Sequence, residues 1–260
     1  MIGQLLHAAL FTPTRRGWGL PVLCWGEPGV GKSDMIEQLG ARAGLPTECL
    51  APGERGEGAF GVVPVPAGDG DAMVLRYPAP EWTTRMQAGG LVFVDELTTA
   101  PPALQPPLLG LCLARRIGGA QLGPRVRVLA AANEVDDAAG GYDLGAALLN
   151  RFCHLAWQTP TVEQHIGYMA QASTGDTVEP LDAIQEEARV LAGWPAAYAQ
   201  ACGLEAGYLR RFPQAKNTKP KPGSTDRAWP SDRTWEMAVR AWATARVHGL
   251  DDAQRFDLVA

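Results

Sequence analysis

An α/β fold, with a parallel sheet between helical layers and a smaller helical region after it, is predicted by three observations. The apolar run "PVLCW" leads into the glycine-rich loop "GEPGVGKS" and then into a helical pattern. A second apolar run, "LVFV", ends at two adjacent acids, Asp95 and Glu96. From Thr159 onward the spacing of apolar residues turns helical. Short continuous apolar runs bounded by turn residues are the mark of strands buried on both faces, so helices must cover the sheet above and below, giving three αβα layers.

The bulk numbers allow this. A chain of 260 residues suffices for one large domain or for a large and a small one. It is 46% hydrophobic and 20% charged, as an ordinary globular protein is. A net charge of −5 argues against broad binding to a polyanion, although a local basic stripe is compatible with that total. The five cysteines are odd in number and lack CxxC spacing, and the four histidines show no ligand pattern, so a reducing cytoplasm is expected. No apolar run approaches the roughly 18 residues that span a bilayer. Arg15-Arg16 precede an apolar stretch as in a twin-arginine signal, but that stretch runs directly into the glycine loop and reads as a buried strand.

The loop fits G-x-x-x-x-G-K-[ST] through Gly26, Gly31, Lys32 and Ser33, with Glu27, Pro28, Gly29 and Val30 between and Asp34 following. A strand, this loop and a helix form the arrangement that phosphate binding requires. Backbone N–H groups and a helix N-terminus face the phosphates, Lys32 reaches the β- and γ-phosphates, and the Ser33 hydroxyl ligates Mg²⁺. Met35, Ile36, Leu39 and Ala43 are expected on the buried face of that helix, with Gly44 stopping it. ATP and Mg²⁺ are the expected ligands. Kinases, GTPases and motors all use such loops, and the next motif narrows the choice. Asp95 would hold the Mg²⁺ shell together with Ser33, and Glu96 would orient and deprotonate the attacking water.

A third strand, "RVRVLAAANE", ends at Asn133, whose amide is placed to hold that water from the other side. In "DLGAALLNRF", Leu144, Leu148 and Leu149 form an apolar helix side, and Arg151 follows it either as a solvated terminal cation or as an arginine finger. Arg115 and Arg116 are the alternatives for the second role. Pro106 and Pro107 delay the helix after the acids to about residue 107, from which it should run to Gly118. Residues 59–77 read as a β-hairpin with "AGDGD" at its turn. Three C-terminal helices are expected, the third broken at Gly203, followed by a Pro- and Lys-rich loop carrying Lys216, Lys219 and Lys221. Arg233 opens a last helical pattern with Trp235, Val239 and Trp242 on its apolar face.

In their order and spacing, "GEPGVGKS", "LVFVDEL", "LAAANE", "ALLNRF" and "PSDRTW" resemble the AAA+ ATPases, and in flavour the MoxR-like branch. The resemblance spans most of residues 18–158 and a patch near 230–247; residues 171–229 match nothing in it. It implies a P-loop NTPase domain over residues 1–158 with a hairpin insert at 59–77 facing a ring axis, and a helical lid over residues 159–260. It implies a homo-oligomeric, commonly hexameric ring with ATP between neighbours. Arg151 would then act in trans, Asn133 would be the sensor 1 residue, and Arg233 the sensor 2 residue acting in cis. Such enzymes remodel, mature or assemble a partner protein, often one with a von Willebrand factor A domain. The alternative is an AAA+ motor acting on nucleic acid, against which the net charge and the lack of an aromatic–basic stripe count. A nucleotide switch leaves Lys32, Asp95, Glu96 and Arg151 without a joint purpose. A small-molecule kinase leaves Arg151, Arg233 and the lid unexplained.

Overall fold

The structure, a computed structural model, describes residues 2–69, 72–133, 141–174, 181–219 and 226–259. Five parallel strands form the central sheet: β3 (Val22–Trp25), β4 (Thr47–Leu50), β7 (Gly90–Val94), β10 (Val126–Ala132) and β11 (Cys153–Ala156), in the order β11-β3-β10-β7-β4. The helices are α1 (Ile2–Leu10), α2 (Lys32–Arg42), α3 (Gln105–Ala114), α4 (Ala146–Leu149), α5 (Val162–Thr174), α6 (Ala183–Arg211), α7 (Asp232–Val247) and α8 (Asp252–Val259). Among the described residues there are also three small hairpins: β1 (Pro13–Thr14) with β2 (Gly17–Trp18), β5 (Val65–Ala67) with β6 (Val74–Arg76), and β8 (Arg116–Ile117) with β9 (Ala120–Gln121).

Alternation along each strand sorts the core into two layers. Cys24, Leu91, Phe93, Leu129, Ala131 and Leu155 point to one face, against Leu6 and Leu10 of α1, Ile36 of α2, Val190 of α6 and Ala241 of α7. Leu23, Val92, Val94, Val128 and Ala130 point to the other, against Leu108 and Leu111 of α3, Phe60, Trp82 and Leu148. The three αβα layers expected from the apolar runs are therefore present. The first layer crosses residue 158, because helices from the C-terminal region complete it. A buried ion pair adds to that junction. Arg127 of β10 donates to Glu187 of α6 at 2.7 Å and to the Leu10 carbonyl at 2.9 Å.

The structure corrects several sequence expectations. Two C-terminal helices, one broken at Gly203, are instead one continuous helix, α6, which passes through Pro195 and Gly203. An interior proline costs roughly 3 kcal/mol. Burial of Val190, Ala197 and Ala201 on both sides of it offsets that cost, against α1 and α7. Helix α3 starts two residues earlier than expected, since Pro106 and Pro107 sit in its first turn, where no N–H is missed. It also ends earlier, at Ala114, because Arg115 turns left-handed (φ 51°) and starts the unforeseen β8–β9 hairpin. Met35 is exposed rather than on the buried face of α2. The β5–β6 hairpin forms but is shorter than residues 59–77, since Glu57–Phe60 is a 3₁₀ turn; its tip, residues 70–71, lies outside the described residues, as does Lys221. Among the described residues no helix is long and apolar enough to cross a membrane.

Candidate nucleotide site

Strand order brings the candidate residues together. The glycine loop leaves the carboxyl end of β3, Asp95 and Glu96 leave that of β7, and β10 lies between these strands and delivers Asn133. The loop sits where open α/β sheets bind ligands. Gly29 and Gly31 adopt φ of 76° and 79°, a left-handed conformation that strains any residue with a Cβ. Gly26 is required by closeness instead: a Cβ there would stand 2.8 Å from the Trp157 backbone oxygen. Glu27, Pro28 and Gly29 are exposed, Val30 is half-buried, and Asp34 lies exposed in the first turn of α2. The Thr159 hydroxyl donates to Glu27 at 3.0 Å, tying the loop to the chain beyond β11.

Lys32 is buried, and its Nζ donates to the Gly26 and Glu27 carbonyls at 3.0 and 2.8 Å and to Asn133 Oδ1 at 2.9 Å. Burial pushes its pKa down, while Asp95, Cys24 and Glu96 push it back up. The Ser33 hydroxyl donates to Asp95 Oδ2 at 2.5 Å, so a hydroxyl and a carboxylate already share one spot. Two hard oxygen ligands side by side suit Mg²⁺, which binds few protein oxygens and keeps the rest of its shell for water and phosphate. Glu96 is exposed and left-handed (φ 49°, ψ 47°), and its N–H donates to Asp95 Oδ1 at 2.9 Å. A non-glycine residue in that region carries local strain of the kind found at functional sites. The pairing of Lys32 with Asn133, 101 residues apart, had no signal in the sequence.

Arg151 and Arg233 do not join this group. Cys153 pairs with Val22 at the amino end of β3, and Arg151 lies two residues before it. About 10 Å of strand therefore separates Arg151 from the start of the glycine loop. Arg233 stands with Arg151 around a cavity of about 190 Å³ also lined by Pro21. Within one chain, then, Arg233 is placed beside Arg151 rather than beside Lys32. Arg115 is buried and donates to the carbonyls of Arg16, Trp18, Gly19 and Val126, which makes it a structural cation and removes it as an alternative finger. Two of these contacts, with the Arg16 and Trp18 carbonyls, hold the β1–β2 hairpin and give that arginine a clear local task.

Sequence spacing also concealed a polar cluster joining α1, α6 and α7. Glu186 accepts from His7 at 3.2 Å and from the Arg189 guanidinium, which also donates to His248 Nδ1 at 2.7 Å. The acceptor role of Nδ1 leaves the hydrogen of His248 on Nε2, which is buried without a partner. Three ligand-type atoms meet here, but the Arg189 nitrogen already fills the space between two of them. Burial first, then the neighbours His7 and Arg189, push His248 down to about 4; the Arg189 hydrogen bond, opposed by burial and helped by His7, holds Glu186 at about 2. Both groups have folded pKa values below their unfolded ones, so unfolding takes up protons as pH falls. Thermal stability is expected to decline from about pH 6.5 toward 4 through His248, and on toward 2 through Glu186. Melting followed by circular dichroism should show this, and His248→Gln should flatten the limb between pH 6.5 and 4. An unchanged slope in that variant assigns the acid lability elsewhere.

No protein-family model matches the chain, and no curated protein matches it. Among solved structures it is similar to a provisionally assigned ATPase from Cytophaga hutchinsonii, with 13% identity and a TM-score of 0.62, over 100% of this chain and 79% of that one. At that identity the likeness is one of fold, and the fold the two share is a parallel sheet flanked by helices with a helical C-terminal region.

Proposed function

We propose that this chain hydrolyses ATP with Mg²⁺, as an AAA+ enzyme of MoxR-like type, in a ring whose sites lie between neighbouring copies. The observation that carries the reading is the convergence of Lys32, Asn133, Ser33, Asp95 and Glu96 at the carboxyl ends of three adjacent strands. The loop amides and Lys32 would hold the phosphates, with Lys32 exchanging its present carbonyl partners for phosphate oxygens. Ser33 and Asp95 would hold Mg²⁺, which would supply positive charge to offset that of the phosphates. Glu96 would take a proton from water as the water oxygen bonds to the γ-phosphorus. The bond to the bridging oxygen breaks, and ADP leaves with its electron pair. Asn133 would orient that water.

The separation of Arg151 and Arg233 from their own glycine loop supports an assembly, since neither stands beside the loop of its own copy. On this reading the sensor 2 arginine acts in trans beside the finger, not in cis. The exposed apolar side chains of the β5–β6 hairpin, Met73, Val74, Leu75 and Tyr77, suit contact with a protein to be remodelled. A partner with a von Willebrand factor A domain fits the same reading.

Phosphate release tests it. Turnover per subunit should require Mg²⁺ and should rise with protein concentration as the assembly forms. Turnover that is independent of concentration down to a demonstrated monomer rules out the shared site.

A further inference from the structure

The cavity at the amino end of the sheet gathers more arginine than a finger and a sensor account for. Arg15, Arg16, Arg115, Arg151, Arg233 and Arg240 all line it, in a chain of net charge −5. Three of the six are committed. Arg115 is bonded to backbone carbonyls, and Glu236 pairs with both Arg15 (2.8 Å) and Arg240 (3.0 Å). Among the described residues no carboxylate pairs with Arg16, Arg151 or Arg233. Arg151 Nε is buried without an acceptor, although Arg151 Nη1 reaches the Ala147 carbonyl. Burial and the like charge of Arg233 both act against its protonated form. Like charges gathered around a cavity, with a buried donor left over, suit an anion.

Arg16 is held there by construction. It lies in the turn between β1 and β2, where Thr14 accepts from its N–H and donates to the Gly17 carbonyl. Turns favour small or locally hydrogen-bonding residues, so a pair of arginines has no local reason to be there. Arg115 grips one side of the hairpin through the Arg16 and Trp18 carbonyls. Helix α7 grips the other, through Arg15–Glu236 and through Arg240, which donates to the Pro13 carbonyl at 2.8 Å. The hairpin is thus fixed between α3 and α7, and α7 is the helix that carries Arg233.

We propose that Arg16 is a third trans residue, joining Arg151 and Arg233 in a receptor for the terminal phosphate of a nucleotide bound by a neighbouring copy. This rests on the shared-site reading above. The occupant is committed to that phosphate rather than to a free anion, because a lone copy places these arginines at the opposite end of the sheet from its own loop.

Arg16 is exposed, so Arg16→Ala should melt at the wild-type temperature and keep wild-type affinity for a fluorescent ATP analogue. Its phosphate release should fall at least about tenfold, consistent with the loss of one charge-assisted contact to the transferring group. Mixed with Lys32→Ala, it should exceed the sum of the two proteins measured apart, since a Lys32→Ala copy supplies the intact Arg16. Wild-type turnover in Arg16→Ala overturns the proposal. If the Arg151→Ala and Lys32→Ala mixture recovers while the Arg16→Ala mixture does not, Arg16 acts within its own copy, and the proposal falls while the shared site stands. If neither mixture recovers, although the copies assemble, both fall. Stabilisation of Lys32→Ala by inorganic phosphate, lost in the Arg16→Ala, Lys32→Ala double variant and accompanied by failed mixing, reassigns the cavity to a free anion.

Discussion

Mixing Arg151→Ala with Lys32→Ala should regain ATP hydrolysis that neither protein shows alone. Lys32→Ala would lose the cation proposed to hold the β- and γ-phosphates, and the glycine loop would keep only its backbone donors. Arg151→Ala keeps the whole carboxyl-end group, Lys32, Ser33, Asp95, Glu96 and Asn133, and should bind ATP normally. It should nonetheless turn over more slowly by about 10³ or more, the contribution of an arginine finger. In a mixed assembly, an Arg151 from the Lys32→Ala copy faces a complete loop on the Arg151→Ala copy, and that interface has every part. Phosphate release at equal total protein reads the recovery directly. A mixture that co-assembles and stays inactive removes Arg151 as a trans finger.

Glu96→Gln should bind ATP and hydrolyse it about 10² to 10⁴ times more slowly, the usual range for a lost general base. The Ser33–Asp95 pair does not involve the Glu96 carboxylate, and neither does Lys32–Asn133, so binding should survive. The Glu96 backbone amide, which donates to Asp95, is unchanged by the substitution. Asp95→Asn serves as the contrast: it should raise the Mg²⁺ concentration needed for activity, because it would alter the proposed metal site rather than the proposed base. Wild-type turnover in Glu96→Gln puts the base elsewhere.

The sheet was legible because its strands are buried on both faces and therefore read as unbroken apolar runs; Val22–Trp25, Gly90–Val94 and Val126–Ala132 lie where those runs predicted. The loop was legible because its glycines are imposed locally, by backbone conformation at Gly29 and Gly31 and by close approach to Trp157 at Gly26. Helix α6 was not, since local rules treat Pro195 and Gly203 as breaks, while burial against other helices decides the outcome. The short hairpins β1–β2 and β8–β9 were missed because two-residue strands have no period to detect. The separation of Arg151 and Arg233 from Lys32 was also hidden. A motif gives a position along the chain, and only strand direction says at which end of the sheet that position falls.

That polarity has an arithmetic consequence. Each copy carries its glycine loop at one end of the sheet and its arginines at the other, so contacts that complete a shared site, as proposed, would run head to tail. An open stack always leaves one loop without arginines and one set of arginines without a loop, whatever its length. Only closure uses every part. The incomplete fraction would be one half in a pair and would shrink as the stack grew, so on the proposed reading specific activity should climb by unequal steps and reach its ceiling when the last copy meets the first.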